Sequence, residues 1–297
     1  MHAERPSLTA AWVAVARGLG RLLPPEAQLV DDPYGVAFAG GGRLGRALAA
    51  AAERDVRAVG AVPGLRAWLL YMQVRTRLLD DVVREFVDGG GAQVVLLGAG
   101  YDCRALRLPG AARFFEVDHP NTQARKQRVL ARLGAASPAR YLAWDFEGRA
   151  IGELPAALAG LGHDAHAPTL TVWEGVTMYL TEPALDASVR AMAAYSSAGS
   201  ALAMTYFTRD RLAAPRVGTR ALMRALAGVG EPWRWGWRPD ELPGWLAARG
   251  WRVERDLGMD AAAHALLPPR HAAFADDGRR VAVVARERVA VAARSPQ

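Results

Sequence analysis

The segment that most restricts this chain is Val94-Val95-Leu96-Leu97-Gly98-Ala99-Gly100-Tyr101-Asp102. Four apolar residues running into a glycine pair mark a strand buried on both faces and a tight turn at its end. Glycine has no Cβ, so such a turn lets its backbone approach a bound ligand closely. Twenty residues after Gly98, Phe114-Phe115-Glu116-Val117-Asp118-His119-Pro120 reads as a second strand ending in an acid. In doubly wound sheets an acid at that place accepts hydrogen bonds from ribose hydroxyls. The alternative is a structural turn with Asp118 capping the helix that begins near Asn121. The order strand, glycine turn, strand, acid favours a nucleoside site. A dinucleotide fingerprint has a third glycine where Cys103 stands, and no Walker lysine follows the turn. A cofactor with a ribose but no phosphates, such as S-adenosylmethionine, therefore fits better than NAD or ATP.

Strand and helix signals alternate around this segment, the pattern of a parallel sheet covered on both faces. Strands are expected at 94–97, 113–117, 140–143, 169–173, 200–207, 251–257 and 280–286, and helices at 121–133, 182–196, 211–227 and 239–249. Ahead of the first strand, Leu70, Val74, Leu78, Val82 and Phe86 recur every four residues and mark an amphipathic helix over 68–87. The expected architecture is α/β, a doubly wound, seven-stranded, mostly parallel sheet of Rossmann-like class. An Ala-rich helical cap, broken at Pro24-Pro25, Asp32-Pro33 and Gly40-Gly41-Gly42, is expected over 1–65, and the catalytic domain over 66–290. A lid is expected at about 208–243, and a disordered tail over 291–297.

Composition narrows the class. The chain has 297 residues, 51% hydrophobic and 23% charged, enough for a full core. Charges interrupt every apolar stretch before membrane-spanning length, so no membrane association is expected. Residues 1–23 show no export signal, and Cys103 is the single cysteine, so a reducing, cytoplasmic location is expected and a cysteine-based metal site is not. The net charge of +7 raises the question of nucleic acid. The basic residues are nearly all arginines scattered among acids and alanines, Lys126 being the only lysine, so a solvated surface is expected and no nucleic-acid partner. Nothing in the sequence specifies an oligomeric state.

Four blocks resemble the leucine carboxyl methyltransferase family, especially its bacterial polyketide-type O-methyltransferase branch. They are Arg75-Thr76-Arg77-Leu78-Leu79-Asp80-Asp81, Leu97-Gly98-Ala99-Gly100-Tyr101-Asp102-Cys103-Arg104 with Arg107-Leu108, Phe115-Glu116-Val117-Asp118-His119-Pro120, and Trp173-Glu174-Gly175-Val176-Thr177-Met178-Tyr179-Leu180. Asp31-Asp32-Pro33 and Gly230-Glu231-Pro232 extend the likeness over most of the chain. The family often has Thr where Cys103 stands, and the Trp-rich stretch 233–237 is bulkier than the family pattern. The resemblance implies an S-adenosylmethionine-dependent O-methyltransferase acting on a small molecule. It implies that Arg75 pairs with the cofactor's carboxylate, that Gly98 and Gly100 meet it through the backbone, and that Asp118 holds the ribose. Asp145, with Phe146 beside it, matches the family position near adenine, and Glu174 the position near the sulfonium.

The residues agree with several of these roles. Arg75 lies beside Leu79 and Val82 at the edge of the helix's apolar stripe, whereas Arg77 falls on the polar row with Gln73, Asp81 and Arg84. A guanidinium makes a two-pronged bond to a carboxylate, although an ordinary helical ion pair with Asp80 or Asp81 is the alternative. For Asp145 the alternative is a turn aspartate, and for Glu174 a buried structural acid. Glu174 and Tyr179 are the catalytic candidates. Tyr179 either lines the acceptor pocket or packs beneath it. Trp233, Trp235 and Trp237 would line one side if extended, forming an acceptor wall, or would pack the lid. Arg209, Arg234 and Arg238 are equal candidates to anchor an acceptor carboxylate. None of His119, His163, His166, His264 and His271 is placed as a base. That favours a carboxylate acceptor, already ionised at neutral pH, over a phenol. Phenol O-methylation, and more remotely an NAD(P)-dependent oxidoreductase, are the alternatives.

Overall fold

The structure is a computed structural model, and it describes residues 7–39, 63–108, 110, 112–215, 220, 223, 224, 227, 228, 231–272 and 279–286. Seven strands form one sheet: β1 Gln93–Leu97, β2 Arg113–Asp118, β3 Arg140–Ala143, β4 Thr169–Trp173, β5 Ala201–Phe207, β6 Trp251–Gly258 and β7 Arg279–Arg286. Their order is β3-β2-β1-β4-β5-β7-β6. The neighbouring pairs from β3 through β5 are parallel, and β7 runs antiparallel to both β5 and β6. Every strand expected from the sequence is present, with bounds moved by a residue at most.

Two-residue alternation explains the two cores. Val94 and Leu96 of β1, Leu170 and Val172 of β4, and Ala203 of β5 pack on one face against α1 Leu8–Gly18, α2 Pro63–Asp88 and the later helix Met259–Leu266. Val95, Leu97, Phe115, Val117, Trp173, Leu202 and Met204 point the other way, onto helices that follow β3, β4 and β5. Because β1 and β4 are buried at every position, they sit at the centre of the sheet. Strand β6 is fully buried only at Trp251, its other positions being half-buried or exposed, and it carries an irregularity between Val253 and Arg255, as suits an edge.

The helices follow as α3 Arg104–Arg107, α4 Pro120–Arg132, α5 Leu154–Gly160, α6 Glu182–Ala194, α7 Arg209–Ala213, α8 Leu242–Ala247 and α9 Met259–Leu266. Helix α2 begins five residues before the expected 68 and ends at glycines, Gly90 taking φ +91°. His119, not Asp118, caps α4: its ring nitrogen accepts from the Asn121 N–H at 3.3 Å. The helix expected over 239–249 is the shorter α8, with Pro243 in its first turn and Gly250 at φ +76° beyond its end. Of the helix expected over 211–227, α7 covers the first part and begins two residues earlier. Positions 216–219, 221, 222, 225 and 226 lie outside the described residues, as do Gly40-Gly41-Gly42 and the tail 291–297. Helices α3, α5 and α9 lie outside the helices expected from the sequence.

The N-terminal residues join the sheet at two places. Val15, Leu19, Leu22, Leu23 and Ala27 enter the α2 side of the core. Ala11, Ala14 and Phe38 pack with Tyr101, Cys103 and Leu130, and the Phe38 and Tyr101 rings stack at 4.5 Å. The cap is thus fastened directly over the glycine turn. Among the described residues no helix is long and apolar enough to cross a membrane.

Candidate functional site

The glycine turn closes the C-terminal end of β1. Gly98 and Ala99 donate to the Val117 carbonyl at 2.9 and 3.1 Å, which folds the turn back over β2. Gly98 has φ +70° and Gly100 φ +52°, left-handed conformations that L side chains rarely adopt. A Cβ at Gly98 would stand 2.6 Å from Val176 Cγ2, so the turn is also too crowded there for a larger residue. Asp118, at the end of β2, accepts from Gly100 N–H at 2.6 Å and from His119 N–H at 2.7 Å. Burial pushes its carboxyl up, against these two donors. The acid and the turn are therefore one unit: the residue proposed for the ribose also sets the turn.

Beneath the turn lies a buried ionic network. Arg75 of α2 reaches Glu174, just past β4, with Nη2 2.7 Å from Oε1, and its Nη1 donates to the Tyr71 hydroxyl at 3.3 Å. Arg104, with no exposed surface, meets the other Glu174 oxygen at 2.6 Å and Asp80 at 2.7 Å, and it also binds Asp102. Arg107 shares Asp80 at 2.6 Å. Arg17 of α1 pairs with Asp32 at 3.0 Å and donates to the Tyr101 carbonyl at 2.6 Å. Arg17, Arg75, Arg104 and Arg107 thus face Asp32, Asp80, Asp102 and Glu174, four charges of each sign. Burial opposes the Glu174 charge, yet Arg104 and Arg75 hold its carboxyl down at about 2. Burial likewise opposes Asp102, and Arg104 and Arg17 hold it well below the usual carboxylate range. Gly175, at φ +70° with its N–H on Thr205 at 2.7 Å, turns the chain so that Glu174 stays at the strand end.

These groups open on a cavity of about 520 Å³, within the range of about 300–1,000 Å³ usual for small-molecule sites. The structure brings Arg75, Gly98, Gly100, Asp118, Phe146, Glu174 and Tyr179 together on its wall. Asp145 is not on the wall. Its carboxylate accepts from the Glu147 N–H at 3.0 Å, the turn role that was its alternative, while Phe146, Glu147 and Arg149 reach the cavity. Nor does Arg75 pair with Asp80 or Asp81. Asp80 belongs to Arg104 and Arg107, and Asp81 to Arg77 at 2.7 Å on the outer face.

Trp233, Trp235 and Trp237 do not form the cavity wall. Trp233 packs on Phe207 at 4.4 Å, and Trp237, 1% exposed, lies edge-on to Tyr206, Trp235 and Trp245. Only the Thr208–Trp237 bridge is strand-like there, so the two-residue alternation that would align them is absent. Instead Glu231, Pro232 and Arg234 of the same segment line the cavity, opposite Ser7, Thr9 and Val13 of the N-terminal region. Arg17, Asp102, Thr9, Glu147, Arg149 and Glu231 are among the wall residues that sequence reasoning passed over. Asp102 and Glu231 lay inside motifs already noted, whereas Arg17 had no local signal.

The residues fit S-adenosylmethionine. Arg75 Nε has no hydrogen-bond partner, so the guanidinium keeps a donor beyond those given to Glu174 and Tyr71. The turn presents backbone where a Cβ would clash. Among the described residues no cluster of His, Cys, Asp and Glu is arranged to hold a metal ion.

Comparison with known proteins identifies the family. The leucine carboxyl methyltransferase family matches residues 10–193. A candidate S-adenosyl-L-methionine-dependent methyltransferase of Frankia alni is 33% identical over 265 residues, 88% of this chain and 88% of the relative. One from Streptomyces coelicolor is 34% identical over 249 residues, 81% of this chain and 83% of the relative. Among solved structures, a candidate methyltransferase from Thermobifida fusca shares the fold with a TM-score of 0.56 and 18% identity, covering 91% of this chain and 98% of that one. The chain belongs to the leucine carboxyl methyltransferase family and is an S-adenosylmethionine-dependent methyltransferase with the class I, Rossmann-like fold.

Proposed function

We propose that the protein methylates a carboxylate oxygen of a small acid, of polyketide or aromatic type. The observation that carries this reading is the composition of the cavity wall. Its described residues include no histidine, lysine or cysteine, the side chains best suited to remove a proton near neutral pH. A carboxylic acid, with pKa around 4, arrives ionised and needs no such group.

S-adenosylmethionine supplies the electrophilic methyl group. The chain's own task is alignment and exclusion of water. In this reading Arg75 takes the cofactor's carboxylate and Glu174 stands beside the positive end of the cofactor. Asp118 takes the ribose, Gly98 and Gly100 offer backbone, and Phe146 covers adenine. Asp145, its carboxylate engaged in the turn, shapes the loop that presents Phe146. Tyr179 lines the acceptor side, and its phenol stays protonated because burial and the Glu231 charge both push it up. Trp233 and Trp235 stiffen the lid behind the wall.

A phenolic acceptor is the second reading, and Glu231 is the observation in its favour. This carboxylate lines the acceptor side and already accepts from Ser7 at 3.3 Å and from Thr9. An NAD(P) site has less support, since Cys103 is buried under Phe38 and α3 spans only four residues. Mass spectrometry after incubation with S-adenosylmethionine and a panel of aromatic acids and phenols tests the proposal. A base-labile methyl ester is expected. Base-stable ethers from the phenols, with no ester from any acid, would transfer the assignment to the second reading.

A further inference from the structure

We infer that Arg234 is the residue that recognises the acceptor, and that it selects a molecule entering the cavity as an anion. The inference deepens the carboxylate reading above and rests on it.

The sequence left Arg209, Arg234 and Arg238 equivalent, and the structure separates them. Arg209 pairs with Glu241 at 3.1 Å and donates to the Gly236 carbonyl. Arg238 faces Asp210 at 3.6 Å on the surface. Neither is on the cavity wall, whereas Arg234 is.

The other cations of the wall are engaged. Arg17 is held by Asp32, Arg75 by Glu174 and Arg149 by Glu153. Among the described residues, Arg234 is the wall cation with no carboxylate in ion-pair range. Glu231, three residues before it, is the obvious partner, but its two oxygens are occupied by the hydroxyls of Ser7 and Thr9. Glu231 is thus engaged by the N-terminal residues, and the Arg234 guanidinium, with no ion pair among the described residues, lines the cavity. Its backbone is fixed at the same time, because Arg234 N–H donates to the Met178 carbonyl at 2.6 Å, next to Tyr179. A guanidinium on an anchored backbone, exposed and unpaired at a cavity mouth, presents a planar fork of donors that matches a carboxylate. A neutral ester or amide of the same shape offers no charge to it. Methylation would then erase the charge that Arg234 holds, which weakens product binding and favours release.

The test uses the full chain saturated with S-adenosylhomocysteine, titrated by calorimetry with benzoate, salicylate and 1-naphthoate and with their methyl esters. The wild type is expected to bind one or more acids about tenfold or more tighter than the matching ester. Arg234→Ala is expected to lose that preference and to leave ester binding unchanged. Arg234→Lys should recover part of it, because charge returns without the fork. Arg238→Ala is the control and should behave as wild type. In turnover with an acid that is methylated, Arg234→Ala should raise KM with kcat little changed, as removal of uniform binding does. Acid binding and methylation by Arg234→Ala at wild-type strength would overturn the role of Arg234 while sparing the carboxylate reading. A wild type that binds none of the acids overturns the inference. Methylation of phenols alone would remove the carboxylate reading as well.

Discussion

Arg75 and Glu174 meet at 2.7 Å across the floor of the cavity, one from the helix before the sheet and the other from the end of β4. Arg75→Ala removes the proposed carboxylate anchor, and Asp118→Ala removes both the ribose acceptor and the partner of Gly100 N–H. Each is expected to weaken S-adenosylmethionine or S-adenosylhomocysteine at least about tenfold by calorimetry, or roughly 1.4 kcal/mol. Full affinity in both folded variants would refute these roles. Arg75→Lys should fall between, since an ammonium lacks the two-pronged geometry.

The same contact gives stability a pH dependence. The folded Glu174 carboxyl sits at about 2, below the ordinary value near 4.3. Its stabilisation is therefore complete above about pH 4.3 and is lost as pH falls through about 2, with an amplitude on the order of 2–3 kcal/mol. Urea denaturation of wild type and Glu174→Gln from pH 6 down to pH 2 checks this. The variant should be less stable at pH 6, and the two should converge in acid. A difference that stays constant or widens in acid would contradict the ionic account.

Asp80 is fully buried between Arg104 and Arg107. Its replacement by Ala leaves two guanidiniums short of a partner in a dry region, which typically costs about 3–5 kcal/mol. The expected result is a large fall in the denaturation midpoint, even though Asp80 is not on the cavity wall. A loss below about 1 kcal/mol would mean that water or rearranged partners compensate.

At Gly98 two effects are separable. Ala is opposed by φ +70° and by Val176 Cγ2, which would stand 2.6 Å from its Cβ. Gly98→Ala is expected to cost about 1–3 kcal/mol and to reduce cofactor affinity. Adding Val176→Ala should relieve the steric part only, giving partial recovery in both thermal denaturation and binding. Complete recovery would show that the conformation itself costs nothing.

The parts of the fold that the sequence revealed are those written in local pattern. Strand β1 is apolar from Val94 to Leu97, β4 carries Leu170, Val172 and Trp173 beside two β-branched threonines, and α2 repeats every four residues, so pattern and burial agree. Gly98, Gly100, Asp118 and Glu174 stand at or just past strand ends, where the doubly wound topology itself specifies what they face, and Arg75 stands at the edge of the α2 apolar stripe. The ionic network was hidden for the opposite reason. Arg17, Asp32, Asp80 and Arg104 come from segments far apart in the chain, and each alone looks like an ordinary surface charge. Helix α5 was missed because seven residues, including Pro155, are too few to show a period. The tryptophans misled because alternation aligns side chains only in a strand, and that segment is pinned by single contacts.

Those tryptophans therefore supply a prediction that divides packing from recognition. Trp237 is buried to 1% exposure among Tyr206, Trp235 and Trp245, whereas Trp233 and Trp235 are half-buried. Truncating a fully buried indole to Ala costs about 3–5 kcal/mol through lost transfer energy and the cavity left behind. Trp237→Ala is expected to show that loss in denaturant unfolding, and Trp237→Phe a smaller one. Trp233→Ala should cost less than Trp237→Ala and leave S-adenosylhomocysteine affinity within about twofold of wild type, because its ring meets Phe207 and not the cavity. A large loss of acceptor binding in Trp233→Ala at unchanged stability would restore the indoles to the acceptor wall.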